Sequence, residues 1–456
     1  MDIKKYYKYW FVLLVLILLF LIGIIVFIQF QNHILNKLSL TISPISANGY
    51  HSAAIMEDGS LWVWGNNNFD QFSDIEITDQ RNEISNLTPI WVMNDVVSVS
   101  TGSFHGVVIS SEGDLWGWGK VSNGQLGIGG RIGHANSEGG WAVWPPFSPL
   151  DQINISNEWH DTKGITELVK IKRNVSHVSV GNWHSMSIRS DGTLFGWGSN
   201  YLRSSGGWLP NNSFFRLRRN LAESNNIIVY PERMKNNIVT VSTGNNHTMA
   251  IDMNGTLFGW GRNSFGEVGT LSFSTIHRGT KIMDNVLSVS AGNNHTAAIR
   301  EDGSLWTWGA NVYGQLGNGE ETYELNYHIT GDGETVYCRT AVQDNTMPTK
   351  VMEDVIRVSV GNAYTMAITK DGSLWSWGNN SHGQLGDGTT ENRLTPTFIM
   401  KEVVYVSAGN DHTLAIRSDG SLWSWGNNDH GQLGDGTIED RHSPIRIIEN
   451  GLMMPN

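Results

Sequence analysis

The dipeptide Trp-Gly recurs at Trp64, Trp118, Trp197, Trp260, Trp308, Trp377 and Trp425. Thirteen residues before each of these tryptophans stands His51, His105, His184, His247, His295, Tyr364 or His412. Five residues before each lies the second member of an Asp-Gly-like pair, from Gly59 to Gly420. Seven copies with the same offsets restrict the chain to a repeat architecture, in which each supersecondary unit buries its apolar face against its neighbours. The last two copies, 371–389 and 419–437, agree at 18 of 19 positions and differ at Ser381 and Asp429.

Each unit reads as short strands. A Val-rich run (Val403 to Gly409), a second run (His412 to Ile416), a turn at Asp419-Gly420 and a third run (Ser421 to Trp425) define the pattern. Asp-Gly between alternating apolar runs predicts a hairpin with a type I′ turn. In Leu422-Trp423-Ser424-Trp425 the tryptophans are two apart and share a face of the sheet. This pattern absorbs 12 of the 19 tryptophans, which therefore serve as packing between sheets. Pro89, Pro231, Pro348 and Pro396 fall 16 residues before the His or Tyr of the following unit and mark the start of a fourth, edge strand, where a missing N–H does least harm. The expected fold is all-β: a seven-bladed propeller of four-stranded antiparallel blades over residues 40–450.

Ser407-Ala408-Gly409, His412 to Ile416, Asp419 to Gly426 and Gly431-Gln432-Leu433-Gly434 resemble the repeat of the regulator of chromosome condensation family. The resemblance covers about nine tenths of the chain and implies a binding module. The founding nuclear member is an exchange factor for a small GTPase, and a secreted bacterial member inhibits beta-lactamases. Unit one departs from the pattern with Asn48 in place of the first glycine and with Asp70-Gln71-Phe72-Ser73 in place of Gly-Gln-Leu-Gly. Asn is expected there as the next most tolerant residue of a left-handed conformation. Unit three has lost the motif within Tyr201 to Gly207.

Ahead of the repeats, Trp10 to Ile28 is 19 residues without a charge, enough for ~28 Å of helix. Lys4, Lys5 and Lys8 precede it, so the positive-inside rule leaves 1–9 in the cytoplasm, spans the membrane with 10–30 and exports the rest through a stalk at 31–39. The expected location is a cell membrane, single-pass, with the propeller outside, in keeping with a bacterial surface. The net charge of −12 argues against a nucleic-acid partner. Cys338, the sole cysteine, excludes an internal disulfide and reads as an unpaired thiol, with a bridge between two copies as the alternative.

No catalytic motif, cofactor cradle or calcium loop emerges, and an enzyme is not expected. One histidine per blade, at His51, His105, His184, His247, His295 and His412, reads as structural rather than metal-binding, because ligands must converge. Function is expected in the insertions. Intervals between successive His positions are 54, 79, 63, 48, 69 and 48 residues, and the excess falls each time between Trp-Gly and the next proline strand, hence on one rim. Arg131 to Lys172 holds Trp141, Trp144 and Trp159; Arg203 to Lys235 holds Trp208, Arg216, Arg218 and Arg219. These are residue types enriched in binding hot spots, and they are the candidate contacts for an unknown protein or cell-surface ligand. A carbohydrate or cell-wall receptor is the second reading, and a GTPase exchange factor the third. Finally, Pro444 to Ile448 has no following unit, and the first unit has no proline strand before it. These residues are therefore expected to pair with the sheet at about 40–65, sharing one blade between the chain ends and leaving 451–456 as a tail.

Overall fold

The computed structural model describes residues 43–67, 85–120, 123–128, 165–200, 227–321, 326–329, 335–338 and 345–454, and residues 43–455 form one compact unit. The expected cytoplasmic tail, span and stalk lie outside the described residues. Among those described, no helix is long and apolar enough to cross a membrane.

Seven four-stranded antiparallel sheets follow one another in chain order, the seven-bladed propeller that the repeat predicts. Blade 1 is Ile45–Asn48, His51–Ile55, Leu61–Asn66 and Ser85–Met93; blade 7 is Val403–Ala408, His412–Arg417, Leu422–Gly426 and Arg441–Ile448. The first strands of successive blades neighbour one another all the way round, blade 7 to blade 1 included, so their unpaired edges face the propeller axis. Blade 5 also carries a small two-stranded sheet, Asn326–Ile329 with Thr335–Cys338, inside its insertion.

The second strands are buried throughout, and each third strand buries its Trp-Gly tryptophan, because both lie mid-sheet with a neighbouring blade on either face. The tryptophan or phenylalanine two residues earlier is half-buried and carries a cation over its ring in several blades: Lys170 on Trp116, Lys172 on Phe195, Arg417 on Trp423. Outer strands alternate half-buried and exposed positions.

The Asp-Gly turn is not of type I′, which needs positive φ at both central residues. In blade 7 only Gly420 is left-handed, at φ 78°, and its N–H donates to Arg417 O at 2.9 Å while Arg417 N–H donates to Ser421 O at 3.1 Å. That is a type I turn closed by a glycine bulge. Asp419 Oδ1 accepts the Ser421 N–H at 3.0 Å, which explains the aspartate before the glycine.

The proline strands belong to the preceding unit, not the following one. Pro444 sits inside Arg441–Ile448, which pairs with Leu422–Gly426 of its own blade; the register jumps from Ser424↔Ile445 to Gly426↔Arg441 and passes over the proline. The missing N–H thus falls where no partner faces it. The expected exchange of 444–448 with residues 40–65 therefore does not occur, since each end already owns a complete outer strand.

What joins the chain ends is the segment expected to be a free tail. In blade 2, Val96 pairs with Ser110, donates its N–H to Gly59 O at 2.9 Å, and follows left-handed Asp95, whose carbonyl accepts the Ser111 N–H at 2.7 Å. In blade 1 those places are taken from the far end of the chain. Leu452 bridges Met56 and donates to Gly420 O at 3.4 Å, left-handed Gly451 accepts the Glu57 N–H at 2.7 Å, and Met453 N–H donates to Ile55 O at 3.0 Å. The first strand of blade 1 is therefore composite, 451–453 leading into 45–48. Leu452, 2% exposed, packs with Ile45, Trp64, Leu414 and Leu422, so the seam is part of the core.

Candidate functional site

The repeated polar residues form joints between blades. Ser185 Oγ donates to Gln125 O at 2.8 Å and lies 2.9 Å from His105 Nε2 of the preceding blade. A hydroxyl has one proton, and the carbonyl has taken it, so His105 Nε2 must be the donor to Ser185 Oγ. The same relay links His247 to Thr296 and Glu267 O, His295 to Thr365 and Gln315 O, and His412 to Ser52 and Gln432 O. That carbonyl also receives the indole N–H of the next blade's tryptophan: Trp64 on Gln432 O at 2.9 Å, Trp197 on Gln125 O at 2.8 Å, Trp425 on Gln384 O at 2.9 Å. Trp260, Trp308 and Trp377 are buried at the equivalent places, and His184 reaches Thr248 Oγ1 at 2.9 Å.

A neutral Nε2–H imidazole leaves Nδ1 with a lone pair, and in His105, His184, His247 and His412 that atom is buried without a partner. Adding a proton would place a charge in the core, so burial pushes the pKa down to about 3 in His105, His184, His247, His295 and His412, and to about 4 in His51. Each imidazole is committed to a separate joint. Tyr364 serves the same joint in blade 6, its longer side chain donating to His412 O at 2.6 Å beside Thr413 Oγ1 at 3.0 Å.

The joint between blades 1 and 2 differs. Gly106 replaces the hydroxyl residue, and a Cβ there would lie 2.3 Å from the Trp118 ring, which fills the space. The first glycine of each unit is also explained, and not by a left-handed backbone: a Cβ on Gly102, Gly181, Gly244, Gly292 or Gly361 would stand 2.3 to 2.5 Å from the corresponding glycine carbonyl of the next blade. These glycines allow a close approach. Asn48 does not have positive φ either; its Nδ2 donates to Thr101 O at 3.0 Å across the joint.

A second ring was not legible in the sequence. One first-strand serine in each blade accepts a backbone N–H from the next blade: Ser46 from Thr101, Ser100 from Val180, Ser179 from Thr243, Ser242 from Ala291, Ser290 from Val360, Ser359 from Ala408 and Ser407 from Ala47, all at 2.9 to 3.1 Å. Its signal was the serine that follows a Val or Ile in the first strand of every unit, which looks like any small residue in a strand.

With these motifs absorbed by structure, the loops hold the remaining candidate residues. In an antiparallel blade the connection between strands one and two and that between strands three and four emerge at the same end. All the insertions join strands three and four, so they leave and rejoin the blades at that end. The candidate residues Trp141, Trp144, Trp159, Trp208, Arg216, Arg218 and Arg219 lie outside the described residues. At the same end, the residue before the joint histidine is aromatic in blades 1 to 3. Tyr50, 43% exposed, meets His430 at 4.8 Å with the rings tilted; Phe104 and Trp183 meet at 5.0 Å, with Lys120 Nζ 5.0 Å from the first ring and 5.7 Å from the second. Burial lowers the Lys120 pKa. In blades 4 and 5 the equivalent residues are Asn246 and Asn294, and in blades 6 and 7 Ala363 and Asp411. The end face is thus aromatic and cationic over blades 1 to 3, beside the two insertions of blades 2 and 3.

The profile of the RCC1-like domain matches residues 160–453, and the regulator of chromosome condensation (RCC1) repeat matches 42–71 and 96–125. The chain belongs to the RCC1-like domain family. Among curated proteins, the probable E3 ubiquitin-protein ligase HERC6 of Homo sapiens is 28% identical over 51% of this chain and 19% of its own length. The ultraviolet-B receptor UVR8 of Arabidopsis thaliana is 28% identical over 50% of this chain and 43% of its own. The chain thus spans less than half the length of these relatives. Among solved structures, Prp20p of Saccharomyces cerevisiae, described with its binding to Gsp1p and histones, superposes with a TM-score of 0.63 at 19% identity, covering 91% of this chain and 89% of that one. Human WBSCR16 gives 0.62 at 20%, covering 85% and 93%. At these identities the structural likeness speaks for the fold.

Proposed function

We propose that this RCC1-like propeller is a non-enzymatic binding scaffold, anchored by 10–30 in a membrane with its blades outside the cell, and that it captures a protein partner on the end face of blades 1 to 3. The observation that carries the reading is the half-buried contact of Phe104, Trp183 and Lys120, with exposed Tyr50 at the equivalent place one blade earlier, at the end from which the insertions of blades 2 and 3 depart. Aromatic side chains with an adjoining cation offer contact area at small entropic cost. The repeated histidines and tryptophans are committed to joints, which leaves this face to do the recognition.

Cross-linking on intact cells followed by mass spectrometry would identify the partner. Replacing Phe104, Trp183 and Lys120 by alanine should abolish capture while circular dichroism stays unchanged; capture at the parental level by a folded variant would refute the face. Protease added to intact cells should digest the propeller and spare the N-terminal tail. Protection of the propeller would move it inside the cell and favour the exchange-factor reading.

A further inference from the structure

The glutamine of the Gly-Gln-Leu-Gly loop has one end of its amide tied to its own loop. Gln125 Oε1 accepts the Asn123 N–H at 2.8 Å, Gln384 Oε1 the His382 N–H at 2.9 Å and Gln432 Oε1 the His430 N–H at 2.9 Å. The three amides are therefore held the same way round, with Nε2 turned out of the loop. In blade 6 this nitrogen reaches Asp411 Oδ1 of blade 7, the residue before the joint histidine, at 3.4 Å. In blade 7 it donates to Asn427 Oδ1, two residues after the Trp-Gly tryptophan of its own blade. Each donor finds a side-chain oxygen at one of two places on the end face.

In blade 2 those two places hold Trp183 and Lys120. An indole and an ammonium are donors with no acceptor, and Gln125 Nε2 is buried without a partner. Blade 5, with Ala363 and Ala310 there, offers neither acceptor nor donor. Blade 4 shows what a cation at this place calls for: Arg262 stands where Lys120 does, the glutamine is Glu267, and Glu267 Oε1 lies 3.6 Å from Arg262 Nε. There the loop itself supplies the carboxylate. Blade 2 keeps the cation and keeps the glutamine.

The parts meet at the joint of blades 2 and 3. Lys120 Nζ lies 5.0 Å from the Phe104 ring and 5.7 Å from the Trp183 ring, the Ser199 N–H donates to Trp183 O at 2.8 Å, and a Cβ on the neighbouring Gly198 would stand 3.4 Å from Gln125 Cα. A buried donor left unpaired costs stability, which an acceptor arriving from outside recovers. We propose that this joint is a carboxylate subsite of the end face, where an Asp or Glu side chain of the partner accepts from Gln125 Nε2 and Lys120 Nζ between the rings of Phe104 and Trp183. The partner's carboxylate takes the part that Asp411 plays for Gln384 and Glu267 for Arg262. Lys120, a point charge on a flexible four-carbon stem, turns from the rings onto the anion as it enters. The subsite rests on the end-face reading above and gives its partner a chemistry, that of an acidic peptide segment.

The test titrates the full chain with the blocked peptide acetyl-Gly-Glu-Gly-amide at constant ionic strength, read by calorimetry and by saturation-transfer NMR of the peptide. Saturable binding is expected, and acetyl-Gly-Gln-Gly-amide, of the same shape without the charge, should bind weaker by roughly tenfold or more. Gln125→Glu copies blade 4, gives Lys120 a carboxylate from its own loop and should abolish binding in a folded chain. Gln125→Met removes only the orphaned donor; it should weaken binding several-fold and melt no lower than the parent, so the result stands even if the glutamate variant fails to fold. Sodium acetate is the third probe, and acetate bound as tightly as the glutamate peptide would overturn the peptide assignment. Absence of saturable binding, equal affinity for the two peptides, or unchanged affinity in both Gln125 variants would overturn the subsite. Capture of the cellular partner that survives Gln125→Glu but is lost when Phe104, Trp183 and Lys120 are replaced would overturn the subsite and leave the end face standing.

Discussion

Ser407 Oγ of blade 7 accepts the backbone N–H of Ala47 in blade 1 at 2.9 Å, and this one bond closes a ring of seven equivalent bonds around the propeller axis. Ala47 is buried, so its N–H has no water to turn to if the serine is removed. Ser407→Ala is expected to destabilise the fold by about 1–3 kcal/mol, the cost of an orphaned buried donor. Ser443→Ala, on the exposed outer strand, serves as the control and should fall within ~0.5 kcal/mol in the same urea titration.

The seam at the chain ends makes a sharper claim. A chain ending at Asn450 loses Gly451, Leu452 and Met453 from the composite strand, whereas one ending at Met454 keeps them. The shorter form should unfold at markedly lower temperature and aggregate, and the longer should match the parent. Leu452→Ala alone should cost about 2–5 kcal/mol, as for other buried leucines. Equal melting of the two truncated forms would show that the seam contributes nothing.

Acid should weaken the ring through its histidines. With native pKa values of about 3 or 4 and an unfolded value near 6.5, the unfolded chain takes up protons that the native joints refuse. Stability contributed by this difference is complete above pH 6.5 and is lost progressively as pH falls from there toward 4. Each histidine adds a slope of about 1.4 kcal/mol per pH unit within that window. Urea midpoints measured at pH 7.5, 6.0 and 5.0 should drop steeply, and His247→Gln should remove about one proton from the linkage. Midpoints that do not change with pH would contradict the neutral-joint assignment.

Tyr364 offers the complementary exchange. Tyr364→Phe removes the hydroxyl that donates to His412 O and should cost about 1–3 kcal/mol, while Tyr364→His restores the side chain of the other joints and should be milder. The histidine variant should also unfold with a steeper acid dependence than the parent chain, read in the same titrations.

Much of the fold was legible because its information is local and periodic. Asp419-Gly420 and the alternating Leu422 to Trp425 dictate a hairpin within one unit, and seven copies at fixed offsets dictate the number of blades. The structural reading of the histidines followed from their standing one to a unit at a fixed offset from Trp-Gly, which keeps them apart. The loop face was legible only as a location. The aromatic step from Tyr50 to Phe104 to Trp183 stands at one repeat offset, yet nothing in the spacing says that Lys120 lies over two of those rings.

Boundaries between units and the pairing across them belong to the tertiary structure. A proline strand fits the pattern of either neighbour, and only the pairing of Gly426 with Arg441 and of Leu422 with Ile448 assigns it to the preceding blade. Likewise Gly451-Leu452-Met453 reads as a tail, because its partners Glu57, Gly420 and Ile55 become neighbours only when the ring shuts. The sequence by itself determined the strands, the places of their turns and the sevenfold count, since each follows from residues a few positions apart, whereas the type of turn did not follow. Which serine meets which amide, which histidine finds which hydroxyl and where the circle closes were decided by contacts such as Ser52 with His412, 360 residues apart, where a hydroxyl can choose its acceptor only after the blades have come together.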